Sequence, residues 1–239
     1  MSNTRLSVNI NKVATIRNAR GGNMPNLVQV AKDCEKFGAQ GITVHPRPDG
    51  RHIKYQDVYD LKEIVTTEFN IEGYPSQSFM ELVTTVVPTQ VTLVPDPPEA
   101  LTSNAGWDTV KNTAFLTDII AQLHEKGIRA SIFVNADPVM VEHAKETGTD
   151  RIELYTESYA ANYVKDRESA IKDFIIAAKE ADRQKIDLNA GHDLSLVNLS
   201  YFQKQISNLK EVSIGHALIC DALYLGLQET IHQYLLQLQ

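Results

Sequence analysis

The chain has 239 residues, 43% of them hydrophobic, and carries a formal net charge of −7. That size and apolar content allow one large core, and the acidic balance excludes the broad basic surface needed to neutralise a nucleic-acid backbone. Only two cysteines, Cys34 and Cys220, are present, which excludes a disulfide framework, and no apolar run approaches the roughly 20 residues that span a bilayer. Met1–Asn9 also lacks the apolar centre of a signal peptide, so a soluble, cytoplasmic protein is expected.

Short β-rich runs alternate with stretches of helical apolar spacing along the whole chain. The first strand is predicted at Leu6–Asn9, with Arg17 and Arg20 in the segment behind it. A helix over Leu27–Phe37, ended by Gly38, leads to strand two, Gly41–His45, and then to Pro46-Arg-Pro-Asp-Gly-Arg-His-Ile53. Strand three is Asn70–Glu72; Ser76 starts a helix covering Phe79–Val86, and strand four is Gln90–Val94. After the long connection Pro95–Asn112 come a helix over Thr113–Lys126, ended by Gly127, and strand five, Ala130–Asn135. Asp137-Pro138 opens a helix over Val139–Glu146 with Gly148 just past it, and strand six is Arg151–Tyr155. A second long connection, Thr156–Arg167, precedes a helix over Ser169–Gln184; strands seven and eight are Asp187–Ala190 and Glu211–Ile214, and a last helical pattern runs from Ala217 to Leu238.

Eight βα units without a linker or low-complexity stretch predict a single-domain α/β protein over residues 1–239, a closed (β/α)8 TIM barrel. A doubly wound open sheet would normally carry a Gly-rich turn after its first strand, and Asn9-Ile-Asn-Lys-Val13 is nothing like one. Long connections in compact domains often close over a site, which makes 95–112 a candidate lid.

Barrels of this kind keep their chemistry at the C-terminal ends of the strands, and polar residues collect there in this chain. Asn9 and Asn11 follow strand one; His45, Arg47, Arg51 and His52 follow strand two; Glu72 ends strand three. His192 follows strand seven and Gly215-His216 follows strand eight, so four of the seven histidines sit at predicted strand ends. One such histidine is commonly just a satisfied polar residue; four on one face indicate a site. So many cationic groups within His45–Ile53 must face solvent or an anionic ligand, which points to phosphate. Glu72 at the mouth would have a raised pKa and suit proton transfer. Glu153, flanked by Ile152 and Leu154, faces the barrel interior if those two face the helices. Gly191 and Gly215 either make tight turns or let backbone N–H groups approach a phosphate, and Arg17 and Arg20 either reach that region or are solvated.

Six segments together resemble the pyridoxine 5'-phosphate synthase family of the deoxyxylulose-dependent vitamin B6 pathway. They are Val8-Asn-Ile-Asn-Lys-Val-Ala-Thr-Ile-Arg-Asn-Ala-Arg-Gly21, Gly41–Ile53, Leu93-Val-Pro95, Ile152-Glu153, Asn189-Ala-Gly-His192 and Ile214-Gly-His-Ala217, and they span nearly the whole chain. The resemblance implies condensation of 1-deoxy-D-xylulose 5-phosphate with 3-amino-2-oxopropyl phosphate and closure of the pyridine ring, with release of phosphate and water. It implies His45 and Glu72 as general bases, His192 as general acid and Glu153 as a stabiliser of transition-state charge. Asn9, Arg20, Gly215 and His216 would hold the amino-ketone phosphate. Asn11, Arg47, His52 and Thr102 would hold the other substrate, and Lys12 and Asp193 would also bind substrate. Neither cofactor nor metal is implied, and the partners would be the two phosphorylated metabolites and further copies of the chain, as a dimer-based oligomer up to an octamer. Asn11, Lys12 and Asp193 depart from the family pattern, which often has Asp, His and Gly there.

Three other readings stay open on the residues alone. His45, His192, His216, Glu72 and Glu153 could ligate a divalent ion in a sugar-phosphate isomerase or epimerase, and Lys12 could form a Schiff base. A non-catalytic sensor of phosphorylated metabolites would account for the cations but not for three titratable groups around one hollow. Apolar Leu223, Leu225, Leu235 and Leu236 on the terminal helical stretch exceed what one barrel contact requires, which favours association.

Overall fold

The strands carry apolar side chains on one face and mostly polar or small ones on the other, and both faces are largely buried. Leu6 and Val8 alternate with Ser7, Ile42 and Val44 with Thr43, Phe69 and Ile71 with Asn70 and Glu72, and Val212 and Ile214 with Glu211 and Ser213. A sheet with two such faces must close on itself, with helices covering the apolar side. In the computed structural model, which describes residues 4–96 and 105–239, it does so. Eight parallel strands follow in chain order around a closed barrel: β1 (Arg5–Asn9), β2 (Gly41–Val44), β3 (Glu68–Gly73), β4 (Gln90–Leu93), β5 (Arg129–Val134), β6 (Arg151–Tyr155), β7 (Asp187–Gly191) and β8 (Leu209–Ile214). β1 pairs with both β2 and β8, which shuts the sheet. One TIM-barrel domain accounts for all the described residues.

The helices pack outside: α1 (Asn11–Arg20), α2 (Leu27–Lys36), α3 (Tyr55–Lys62), α4 (Gln77–Val86), α5 (Thr113–Glu125), α6 (Pro138–Glu146), α7 (Glu157–Tyr163), α8 (Arg167–Ala170), α9 (Lys172–Gln184), α10 (Leu199–Gln205), α11 (His216–Leu225) and α12 (Leu227–Gln237). Ser76 and Asp137 cap α4 and α6 through their side chains, as the sequence predicts. The Ser169–Gln184 pattern is split into α8 and α9, and the last pattern is broken at Gly226, whose φ of 77° ends α11. The connection Thr156–Arg167 is no loop: α7 occupies it and buries Tyr159. α1 forms where the sequence analysis places no helix. It buries only Val13, Ala14 and Arg17, a stripe too thin for apolar periodicity to reveal.

Barrels of this class are usually filled by Val, Ile and Leu; this interior is polar. Ser7 Oγ lies 2.7 Å from Thr43 Oγ1, Thr92 Oγ1 donates to Asn70 Oδ1 over 3.0 Å, and Gln90 Nε2 donates to Asn70 Oδ1 over 3.2 Å. At the N-terminal end Arg5 and Arg129 both bind Glu68, with Arg151 3.7 Å away. Above that cluster the pairing thins. Glu211 Oε2 and both carboxyl oxygens of Glu153 are buried without a hydrogen-bond partner among the described residues. Burial, then the neighbouring Glu72 and Glu211, push the Glu153 carboxyl well above the usual range.

Two expectations change here. Arg17 is neither a phosphate ligand nor a solvated cation. It is 6% exposed and donates to both oxygens of Asp57, over 2.6 and 2.8 Å, which ties α1 to α3. Residues 97–104 of the candidate lid, Thr102 among them, lie outside the described residues. Its described end is anchored: the Trp107 indole N–H donates to Leu93 O over 3.0 Å, and the Trp107 backbone N–H to Phe133 O over 2.8 Å. No helix among the described residues is long and apolar enough to cross a membrane. Leu223, Leu225 and Leu236 are exposed, whereas Leu235 packs on the core.

The buried carboxyls fix a pH dependence. Burial, then Glu68, raise Glu211 from 4.5 to about 7, so the folded chain holds this proton where the unfolded chain has lost it. Its contribution is therefore lost as pH rises from 4.5 through about 7, by up to about 3 kcal/mol. Glu211→Gln removes that group. Urea unfolding at about pH 5 and about pH 8 should show stability falling with pH in the parent chain and falling less in the variant.

Candidate active site

The inward row of side chains continues to the C-terminal ends of the strands, where the barrel opens into a cavity of about 560 Å³. That is within the range of small-molecule sites, about 300–1,000 Å³. Asn9, Asn11, Lys12, His45, Arg47, His52, Glu72, His192, Asp193, Gly215 and His216 all line it. The remaining three histidines lie on helices α5, α6 and α12. Three candidates fall elsewhere. Glu153 is 1% exposed and lies beneath the cavity. Arg20 is exposed at the end of α1, outside the lining, and Thr102 is outside the described residues.

β1 and α1 hold the first wall. The Asn11 N–H donates to Asn9 Oδ1 over 3.1 Å, and Asn11 Oδ1 accepts the His45 N–H over 2.9 Å, which fixes the strand-two turn. His45 Nδ1 lies 3.9 Å from Glu72 Oε2, an oxygen that also accepts a weak 3.5 Å bond from Asn9 Nδ2. The His45–Ile53 segment is less open than its composition suggests. His45 and Arg47 are 7% and 5% exposed, because Arg47 lies 3.6 Å from buried Asp96 and their cavity-facing surface is recessed.

The second wall is aromatic. The His192 ring sits 5.5 Å from Phe133 and 6.1 Å from Tyr155, and His192 takes a left-handed φ of 83°. Gly191 has a reason besides the two read from the sequence, a tight turn or phosphate approach: it packs closely. A Cβ there would meet Glu153 Oε1 at 2.3 Å, so glycine lets the strand pass over the buried carboxyl. Gly215 likewise passes Asn9, whose Cβ would stand 3.0 Å from any added methyl group, and α11 begins at His216 with its first backbone N–H groups beside the cavity.

Burial acts in opposite senses on the two kinds of titrating group. It drives His45 well below the ordinary imidazole value, helped by Arg47, His52 and His192. It lowers His52 to about 4 with help from Arg47 and Lys12, and His192 to about 4 with help from Lys12 and Arg47. Burial and then Glu211 push Glu72 up to about 8, against the pull of Arg47 and a hydrogen bond from Ser213. Near neutral pH the hollow therefore presents neutral imidazoles, a protonated or exchanging carboxyl, and the cations of Lys12, Arg47 and Arg51. Such a set moves protons and attracts anions. Among the described residues no three His, Cys, Asp or Glu side chains come together to hold a metal ion.

Sequence reasoning missed Ser213, Tyr155 and Thr15 as lining residues, and Glu211 below them. Glu211-Val-Ser-Ile214 alternates as cleanly as β3, so that period-2 pattern was the available signal for Glu211 and Ser213.

The fold is shared with other barrels. The phosphoribosylanthranilate isomerase of Thermotoga maritima superposes with a TM-score of 0.61 at 12% identity over 98% of each chain. A thiamine phosphate pyrophosphorylase from Pyrococcus furiosus gives 0.63 at 11% identity, covering 99% of this chain and 96% of that one. Sequence likeness is far closer to two proteins named pyridoxine 5'-phosphate synthase. That of Bacteroides thetaiotaomicron is 64% identical over 97% of this chain and 98% of its own, and that of Cytophaga hutchinsonii 61% identical over 99% of both. The model of the pyridoxal phosphate biosynthesis protein PdxJ family matches residues 6–239. With that match over almost its whole length, and with these relatives, the chain belongs to the PdxJ family of pyridoxal phosphate biosynthesis proteins and is an enzyme.

Proposed function

We propose that the chain is a pyridoxine 5'-phosphate synthase that condenses 1-deoxy-D-xylulose 5-phosphate with 3-amino-2-oxopropyl phosphate and closes the pyridine ring. The observation that carries this is the common cavity: His45 and Glu72 approach within 3.9 Å, and His192, Lys12, Arg47 and the start of α11 line the same hollow. Joining an amine to a ketone removes water through an imine, and ring closure then needs several proton transfers at carbon and oxygen. His45, neutral and buried, is the base ready in the resting enzyme. Glu72, raised to about 8, binds a proton far more tightly than an ordinary glutamate and serves as the second base once it has passed that proton on.

His192 is the acid. Its proton affinity is held down by burial, Lys12 and Arg47, and a bound phosphate dianion that offsets those cations raises it, so the imidazolium forms as substrate arrives. Glu153, packed beneath Gly191, stabilises transition-state charge from below. Arg47, His52, Asn11, Lys12 and Asp193 hold the sugar-derived substrate; Asn9, Gly215 and His216 hold the amino-ketone phosphate, with Arg20 joining only if α1 or the substrate shifts. Two separate donor sets keep two dianions side by side and their reacting carbons aligned. Association through the exposed Leu223–Leu225 end of α11 belongs to the same reading.

Incubation with both phosphorylated substrates should yield a pyridinol chromophore and inorganic phosphate, and turnover should survive exhaustive chelation. Formation of neither product would end the reading, and loss of turnover on chelation, restored by a divalent ion, would favour a metal enzyme instead. His45→Ala and Glu72→Gln should each lower kcat by about 10²–10⁴-fold, with substrate affinity within a few-fold of the parent. An equal loss of affinity in calorimetric titration would remove both from proton transfer.

A further inference from the structure

Thr156 stands at the start of α7 as its N-cap, yet its side chain makes no capping bond. A threonine at that place ordinarily accepts from the helix N–H groups two or three residues on. This hydroxyl instead reaches across to the strand-seven turn. It donates to Gly191 O over 2.5 Å and accepts the Asp193 N–H over 3.1 Å, so it grips the chain on both sides of His192. The residue is fully buried. Between those two bonds His192 is held at a φ of 83°, a left-handed conformation that costs a non-glycine residue energy and persists only where its surroundings enforce it.

The rest of the turn is secured from the same side. Asn198 Nδ2 donates to Asp193 O over 3.2 Å, Asn198 Oδ1 accepts the Ser195 N–H over 2.8 Å, and the Tyr159 hydroxyl on α7 donates to Asn198 O over 2.7 Å. Thr156 is the only one of these groups to hold both neighbours of His192.

We propose that Thr156 is a positioning residue: its hydroxyl clasps Gly191 and Asp193 and thereby holds the His192 imidazole against Phe133 and Tyr155, aimed into the cavity. Its catalytic consequence rests on the reading of His192 as the proton donor. Without the hydroxyl, the Gly191 carbonyl and Asp193 N–H lose a buried partner, the turn relaxes toward an ordinary φ, and the ring leaves its aromatic slot.

Thr156→Val keeps the volume and removes both bonds; Thr156→Ser keeps the hydroxyl and removes only a methyl group. The clasp predicts a kcat about 10- to 100-fold lower in Thr156→Val with KM within about twofold, and most of that kcat restored in Thr156→Ser. A readout independent of turnover is the His192 ring in 15N-labelled protein, assigned by its loss in His192→Asn. It should titrate near 4 in the parent, depressed by burial, Lys12 and Arg47, and move toward 6.5 in Thr156→Val but not in Thr156→Ser. An unmoved ring with unchanged kcat, or a serine variant as impaired as the valine one, overturns the proposal. If the ring moves while the parent itself makes no pyridinol, the clasp stands and the functional reading falls. Should Thr156→Val fail to fold, Thr156→Ala carries the same comparison.

Discussion

A parallel barrel whose strands are buried on both faces, with polar side chains turned inward, must satisfy those groups along its own axis. That constraint organises the molecule. Near the N-terminal end it is met by ion pairs: Glu68 gathers Arg5, Arg129 and Arg151. Through the middle, Ser7, Thr43, Asn70, Gln90 and Thr92 satisfy one another. Above the Glu68 cluster carboxyls continue, in Glu211, Glu153 and Glu72, and Glu211 Oε2 and both Glu153 oxygens have no hydrogen-bond partner among the described residues. Burial without full compensation makes all three carboxyls hold their protons more tightly than usual.

The same desolvation leaves the imidazoles neutral, with Lys12, Arg47 and Arg51 supplying the positive field. A site with neutral bases, a carboxyl titrating near 8 and fixed cations is set before any substrate enters. In the proposed reaction a phosphate dianion would offset Lys12 and Arg47, which add to burial in keeping His192 unprotonated.

Much of this was legible in the residues. The eight strands, the caps at Ser76 and Asp137 and the gathering of four histidines at strand ends follow from alternation, spacing and capping chemistry. α1 and α7 were not legible, because one buries a thin stripe and the other replaces a connection whose polar composition reads as loop. Arg17 illustrates the harder limit: a cation in a motif segment has several possible partners, and only the approach of α3 selects Asp57. Gly191 does so too, because its close neighbour Glu153 is 38 residues away in sequence and one strand away in space. The role of Thr156 needed the turn's coordinates, since nothing local distinguishes it from an ordinary N-cap.

The most direct test of this account is the protonation of Glu72, read by infrared difference titration of the protonated-carboxyl stretch in the parent chain and in Glu72→Gln. The account predicts a band that survives at neutral pH, fades as pH passes about 8, and is missing from the variant. A Glu72 carboxyl already fully ionised near its ordinary value of 4.5 would contradict it.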